Sequence, residues 1–255
     1  MELETWQLAF LSILGVIAGI LNVIAGGGSL LTLPAMVLMG LPGPVANGTN
    51  RVAILAQNVS AVAGFRKKGF SDFKLSLTLS LCALPGGIAG AYVGTLVRGK
   101  LFNTILAVIM ILILVQMVWK ERSRAKDAQT QPPDTEQPSR LLLGHVCIVA
   151  VGFYGGFIQA GVGFLLMAVL HNVMRLDLVR VNMHKVFIVG VYTAVALTVF
   201  VLTGNVLWIP GLALAIGNSL GGWIGSHLSV KKGEPFIRKV LYLAIGAMAV
   251  KLLMG

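Results

Sequence analysis

Ten apolar runs divide the chain, each closed by charge or by glycine: residues 7–25, 29–40, 47–65, 74–97 and 101–119, then 141–159, 163–174, 182–203, 207–229 and 236–254. None alternates strictly between polar and apolar positions as the strands of a membrane barrel do. Helices are therefore predicted, because backbone in hydrocarbon must satisfy its own hydrogen bonds. A helix needs about 20 residues to cross about 30 Å of hydrocarbon at 1.5 Å per residue. Runs 29–40 and 163–174 reach only about 18 Å at that rise. They are predicted to be half-helices or membrane-thinning spans, and an eight-span arrangement in which they merge or re-enter stays open.

Between the fifth and sixth runs lies "KERSRAKDAQTQPPDTEQPSR", Lys120 to Arg140, a polar, proline-containing stretch that cannot bury a core. It divides the chain into an N-terminal membrane repeat, 1–119, a linker, 120–140, and a C-terminal membrane repeat, 141–255. Sliding the sequence against itself by 135 positions aligns the halves without a gap. "AGGGSLL" (Ala25 to Leu31) falls on "AGVGFLL" (Ala160 to Leu166), Asn47 on Asn182, Gly69 on Gly204, and "GGIAG" (Gly86 to Gly90) on "GGWIG" (Gly221 to Gly225). With five segments in each half, the second half enters the membrane from the opposite side. The expected fold is an all-α polytopic membrane protein of two five-segment inverted repeats, with eight to ten transmembrane segments, two of them short or re-entrant. In transporters built this way the substrate site lies at the repeat interface, among the broken elements.

Composition agrees: the chain is 56% hydrophobic and 11% charged, with a mean hydropathy of +0.87, whereas soluble domains are about 25% charged. The net charge of +11 does not point to nucleic acid, since the basic residues sit in short connections. One side gathers Arg66, Lys67, Lys68 and Lys74; Lys120, Arg122, Arg124, Lys126 and Arg140; Arg175 and Arg180; and Lys231, Lys232, Arg238 and Lys239. The other holds chiefly Arg98 and Lys100. By the positive-inside rule the rich side is cytoplasmic, so the linker faces the cytoplasm, both termini face out, and the cytoplasmic (inner) membrane is the expected location. Met1 to Trp6 has no basic leader region, so the first run is expected to remain as a span. Cys82 and Cys147 lack metal-ligand spacing, and no cofactor is expected.

The chemistry is that of a cation-lined path. The nine Asp and Glu residues lie at the N-terminus, in the linker or in short loops such as Asp72, Asp177 and Glu234, which argues against a membrane carboxylate relay. His171 and His184 are what remains for proton coupling, against a plain structural-donor role. The elbow Gly26, Gly27, Gly28 and Ser29, with counterpart Gly161, Val162, Gly163 and Phe164, can bring backbone close to a ligand. Ser29 is placed to cap the helix that follows, whose N-terminus suits an anion. Asn47, Thr49, Asn50 and Arg51 open the third run, and Asn182, His184 and Lys185 the eighth. Together they supply amide and hydroxyl donors and two cations for a small oxyanion, the alternative being helix capping and charge anchoring. The small-residue faces in "PGGIAGAYVG" and "GGWIGSHLS" read as helix packing, with no support for a substrate role of Tyr92 or His227.

"AGGGSLLTLP" (Ala25 to Pro34), "ANGTNRVAIL" (Ala46 to Leu55), "LPGGIAGAYVG" (Leu84 to Gly94) and "GGFIQAGVGF" (Gly155 to Phe164), in that order, resemble the TauE/SafE family of membrane transporters over nearly the whole chain. The resemblance implies a permease for small sulfur-containing anions such as sulfite, sulfoacetate or related organosulfonates, usually working as an exporter. Carried over by position, Gly27, Gly28 and Ser29, the run from Asn47 to Arg51, and Gln159, Gly161 and Gly163 would line the pathway. The second half departs in "VNMHKV", which lacks the threonine, and in Phe164 where the first half has Ser29.

Export of one negative charge down an inside-negative potential gains about 2.3 kcal/mol per 100 mV and needs no coupling ion. Import of a related anion and a non-transporting membrane scaffold or subunit are the alternatives. No carboxylate pair, metal cluster or activated nucleophile supports an enzyme. The expected partners are the anion and the lipid bilayer, with homo-oligomerisation left open. A cysteine placed in the 120–140 linker of a cysteine-free variant should react with a membrane-impermeant maleimide only when the reagent reaches the cytoplasmic side. Labelling of intact cells from outside would reverse the assigned orientation.

Overall fold

A computed structural model describes residues 3–127, 140–229, 248–252 and 254. All of the regular structure among them is helical: α1 (Thr5–Ile24), α2 (Ser29–Leu38), α3 (Gly43–Lys67), α4 (Phe73–Leu96), α5 (Gly99–Asp127), α6 (Leu141–Phe157), α7 (Val162–Met167, continued by a π-helical stretch Ala168–Val173), α8 (Leu178–Leu202) and α9 (Trp208–Ser229). Four helices are long and apolar enough to cross a membrane: Thr5–Ile24, Phe73–Leu96, the part Gly99–Gln116 of α5, and Leu178–Leu202. The chain is a multi-pass membrane protein. Most of the run 236–254, linker residues 128–139, and Lys231, Lys232, Glu234, Arg238 and Lys239 lie outside the described residues.

The helices follow the apolar runs closely, with instructive departures. α5 continues to Asp127, so the polar stretch begins as helix. α3 starts before its apolar run does, because Pro42 is its N-cap and Pro44 occupies its first turn, where a missing N–H costs nothing. α8 starts at Leu178, where the Asp177 side chain accepts from the N–H groups of Val179 and Arg180. Asn47 and Asn182 are therefore inside their helices, not at the ends. The capping role considered for the two polar runs belongs instead to Pro42 and Asp177.

Burial explains why α3 is long yet not apolar enough to count as a lipid-facing span. Its polar residues Asn47, Thr49, Asn50, Arg51, Gln57 and Asn58 are all buried, while large apolar side chains such as Ile13, Leu142 and Ile209 face outward. In lipid this arrangement is the stable one, since hydrocarbon gives no drive to bury Leu or Ile.

Cohesion comes from backbone proximity. α1 packs along α9 and α4 along α6, while α3 packs on α9 and α8 on α4. A Cβ on Gly217 would stand 1.9 Å from the Ser12 carbonyl oxygen, and one on Gly156 would stand 2.1 Å from that of Gly87. α3 and α8 meet antiparallel at the centre: Phe65 clusters with Met183 at one end, and Gly48 abuts Phe200 at the other. Adding one methyl tests this. Gly217→Ala should cost at least about 1–3 kcal/mol through overpacking and lower the unfolding temperature in detergent. Gly190→Ala, whose Cβ would meet only Asn58 Cβ at 3.4 Å, should unfold like the parent.

Candidate functional site

The helices α1 and α6 each end in a turn before a short helix, and the two turns touch. Gly26 takes φ +83°, and a Cβ there would stand 2.5 Å from the Gly163 carbonyl carbon. On the facing turn Gln159 has φ +59° and Gly161 +68°, the first a left-handed conformation uncommon in residues with a side chain. Ser29 joins the turns: its hydroxyl donates to the Gln159 carbonyl at 3.0 Å and accepts from the Gly161 N–H at 3.2 Å. It does not cap α2, as expected from sequence; Gly28 is the N-cap and no side chain bonds there. The Gly27 carbonyl accepts from the Leu30 N–H at 3.1 Å, opening that helix through the backbone.

Each broken helix leaves carbonyls in its last turn, and a cation from the other half takes them. Lys185 Nζ, 2% exposed, donates to the Val23 carbonyl of α1 at 2.8 Å and to Asn182 Oδ1 at 2.7 Å. Arg51, 0% exposed, donates through Nη2 to the carbonyls of Gly155 at 3.2 Å and Gly156 in α6. Asn47 Nδ2 takes the next carbonyl, Phe157, at 2.7 Å. Cations suit helix C-termini, where the dipole is negative. Neither cation has an ion-pair partner among the described residues. The face of Phe200 lies 4.6 Å from the Arg51 guanidinium.

The polar atoms around this crossing are not all used. Buried Arg51 Nε and Nη1, Asn50 Nδ2, Gln57 Nε2, Gln159 Oε1 and Tyr192 Oη make no well-formed hydrogen bond among the described residues. An unmet buried donor costs about 1–3 kcal/mol, so the crossing is incompletely satisfied in this conformation. Beside Lys185 is a cavity of ≈ 10 Å³ lined by Asn22, Ser29, Asn58, Gln159, Gly163 and apolar residues, room for about one water.

The structure thus brings Ser29, Gln159, Gly163 and Lys185 together around one cavity, with Gly161 bonded to Ser29. Arg51 and Asn47 are gathered at the α6 end. Thr49 accepts from the Leu207 N–H at 2.9 Å, at the start of α9, and Asn50 Oδ1 accepts from the Thr32 hydroxyl at 2.7 Å. Asn182 Nδ2 donates to Ser229 Oγ at 2.7 Å. His184 shares a 2.8 Å hydrogen bond with Ser76 Oγ and lies 3.9 Å from Asp72, beside a separate cavity of ≈ 400 Å³ at the α3–α4 turn. His171 bonds the Leu176 carbonyl, a structural role. Asn22, Asn58 and Tyr192 were not among the residues singled out from sequence, although two amides inside apolar runs are a signal that could have found them. No group of three metal-ligating side chains occurs among the described residues.

The family model "Sulfite exporter TauE/SafE" matches residues 11–252. The chain is 30% identical over 255 residues to "Probable membrane transporter protein ORF9" of Sinorhizobium sp, covering 99% of this chain and 94% of the relative. It is 28% identical over 249 residues to "Probable membrane transporter protein YfcA" of Escherichia coli K12, covering 96% and 89%. A "Probable membrane transporter protein" of Haemophilus influenzae is 24% identical over 252 residues, covering 99% and 96%. No solved structure matches the chain significantly.

The cross-link between turns sets a test of the site's architecture. Ser29→Ala removes a donor and an acceptor at once and strands the Gly161 N–H, so thermal unfolding should show a loss of about 1–3 kcal/mol. An unchanged unfolding temperature would mean that the two turns are held by their glycine contact alone.

Proposed function

The chain belongs to the sulfite exporter TauE/SafE family, and from that premise we propose that it is a membrane transporter exporting small sulfur-containing oxyanions such as sulfite, sulfoacetate or related organosulfonates. The observation that carries the reading is the pair of fully buried cations, Arg51 and Lys185, held by neutral oxygens with no carboxylate beside them. Charge inside a membrane protein is expensive and marks a functional path. Here its sign fits an anion. The names of the relatives, all probable membrane transporter proteins, agree with transport and not with enzyme chemistry.

The helix contacts support the two halves as inverted repeats about the crossing. α1 on α9 is matched by α6 on α4, and α3 on α9 by α8 on α4, which is what exchanging the halves produces. In this arrangement Lys185 lies toward the basic, cytoplasmic end of α8 and Arg51 toward the outer end. The two halves, 1–119 and 141–255, rock about the glycine contacts. An anion entering from the cytoplasm displaces the Val23 carbonyl from Lys185, passes Ser29, Asn47 and Gln159 at the crossing, and reaches Arg51. Gly27, Gly28, Gly161 and Gly163 let backbone approach it, while Thr49, Asn50, Asn182 and His184 hold the helices that carry the cations. An inside-negative potential drives the exit, supporting a roughly 50-fold concentration ratio per 100 mV for a univalent anion.

Because the cations also cap α1 and α6, a purely structural role is the competing reading. Proteoliposomes separate the two. The parent should carry sulfite, faster when the potential drives anions out. Lys185→Met and Arg51→Met should lose at least about tenfold in flux per folded molecule, with a smaller loss of folded yield from the uncovered carbonyls. No flux of any oxyanion by the parent overturns transport, and loss of folded protein in step with flux assigns the cations to structure alone.

A further inference from the structure

Tyr192 is the largest buried polar side chain that the path described above leaves without a task. It is 1% exposed, its hydroxyl makes no well-formed hydrogen bond among the described residues although Gln159 and Thr193 are its polar neighbours, and its ring lies along Gly87 of α4. A Cβ on Gly155 would stand 2.5 Å from the hydroxyl oxygen, and the Gly155 carbonyl receives Arg51 Nη2 at 3.2 Å. The phenol and the guanidinium therefore flank the same residue from α8 and α3. Arg51 Nε and Nη1 are buried and unpartnered there as well. The next residue of α8, Thr193, accepts from Gln159 Nε2 at 2.8 Å, leaving Gln159 Oε1 open. A hydroxyl can serve the Gln159 amide as donor or acceptor, so turning the amide over presents an N–H in place of that oxygen without losing Thr193.

Resting on the transport reading, we infer that Arg51, Tyr192 and Gln159 form a second oxyanion subsite at the end of α6, separate from the Lys185 cavity. The phenol O–H, the free guanidinium edge and the turned amide each donate to one oxygen of a small three- or four-oxygen anion. Unmet donors on Arg51 and Tyr192 around one turn are a poor solution for a resting protein but a suitable one for a ligand with several acceptor oxygens, toward which the Gln159 amide turns its N–H. Gln159 belongs to both places, since it also lines the Lys185 cavity. The anion thus passes from Lys185 to Arg51 with Gln159 in contact throughout. Tyr192 adds one neutral donor for one oxygen of the anion.

The test uses the absence of a well-formed resting hydrogen bond at the hydroxyl. Tyr192→Phe keeps the ring and removes one oxygen, so the anion-free protein in detergent should unfold at the same or a higher temperature. Sulfite affinity, read from the rise in unfolding temperature on titration, should weaken at least about tenfold, the change that 1.4 kcal/mol makes. Gln159→Glu, an isostere with the wrong charge, should weaken it further. Unchanged sulfite affinity in Tyr192→Phe, or a fall in anion-free stability, overturns the subsite. If the parent carries sulfite and Lys185→Met does not while Tyr192→Phe binds like the parent, only the subsite fails. A parent that neither binds nor carries sulfite removes both readings.

Discussion

Two positive charges inside a membrane must be held by something, and in this protein they are held by the last turns of α1 and α6. Lys185 and Arg51 are buried, and among the described residues no carboxylate pairs with either. What they bond to are carbonyls of the last turns of α1 and α6, oxygens that a continuous helix would have used internally. The breaks and the cations are thus one device. Without the breaks the cations would lack acceptors; without the cations the broken ends would leave acceptors bare in hydrocarbon. Because each cation crosses to the opposite half, the device also ties the halves together.

The packing serves that requirement. Glycine lines on α1 and α9, and on α4 and α6, bring backbones close enough that a methyl would collide. Each of these seams joins one helix of each half, while the central pair α3 and α8 carries the polar residues. Two smooth glycine seams between the halves, on either side of a polar centre, suit the proposed rocking about them. The Lys185 cavity holds about one water, so the described conformation is closed around its site.

Much of this was legible in the sequence. The apolar runs located the helices, and the two short runs marked the breaks, because length and hydropathy are local properties. The 135-residue offset paired the elbows and both polar runs, including Lys185, whose counterpart in register is Asn50 and not Arg51. The misses have physical reasons. α3 and α8 start before their apolar runs because a proline pair and an aspartate cap begin helix there, signals that hydropathy does not carry. Sequence suggests Ser29 as a cap because its true partners, Gln159 and Gly161, are distant in sequence. Tyr192 was passed over because a tyrosine within a long apolar run reads as core until its hydroxyl is seen to make no well-formed hydrogen bond.

If the crossing of the broken helices is a positive site that carries an anion across the membrane, a sulfite concentration jump applied to proteoliposomes adsorbed on a capacitive electrode drives a saturable transient current with the sign of moving negative charge, absent in a Lys185→Met, Arg51→Met double variant. A current of the opposite sign, or one that follows the cation of the salt instead of sulfite, rules out anion passage through the crossing.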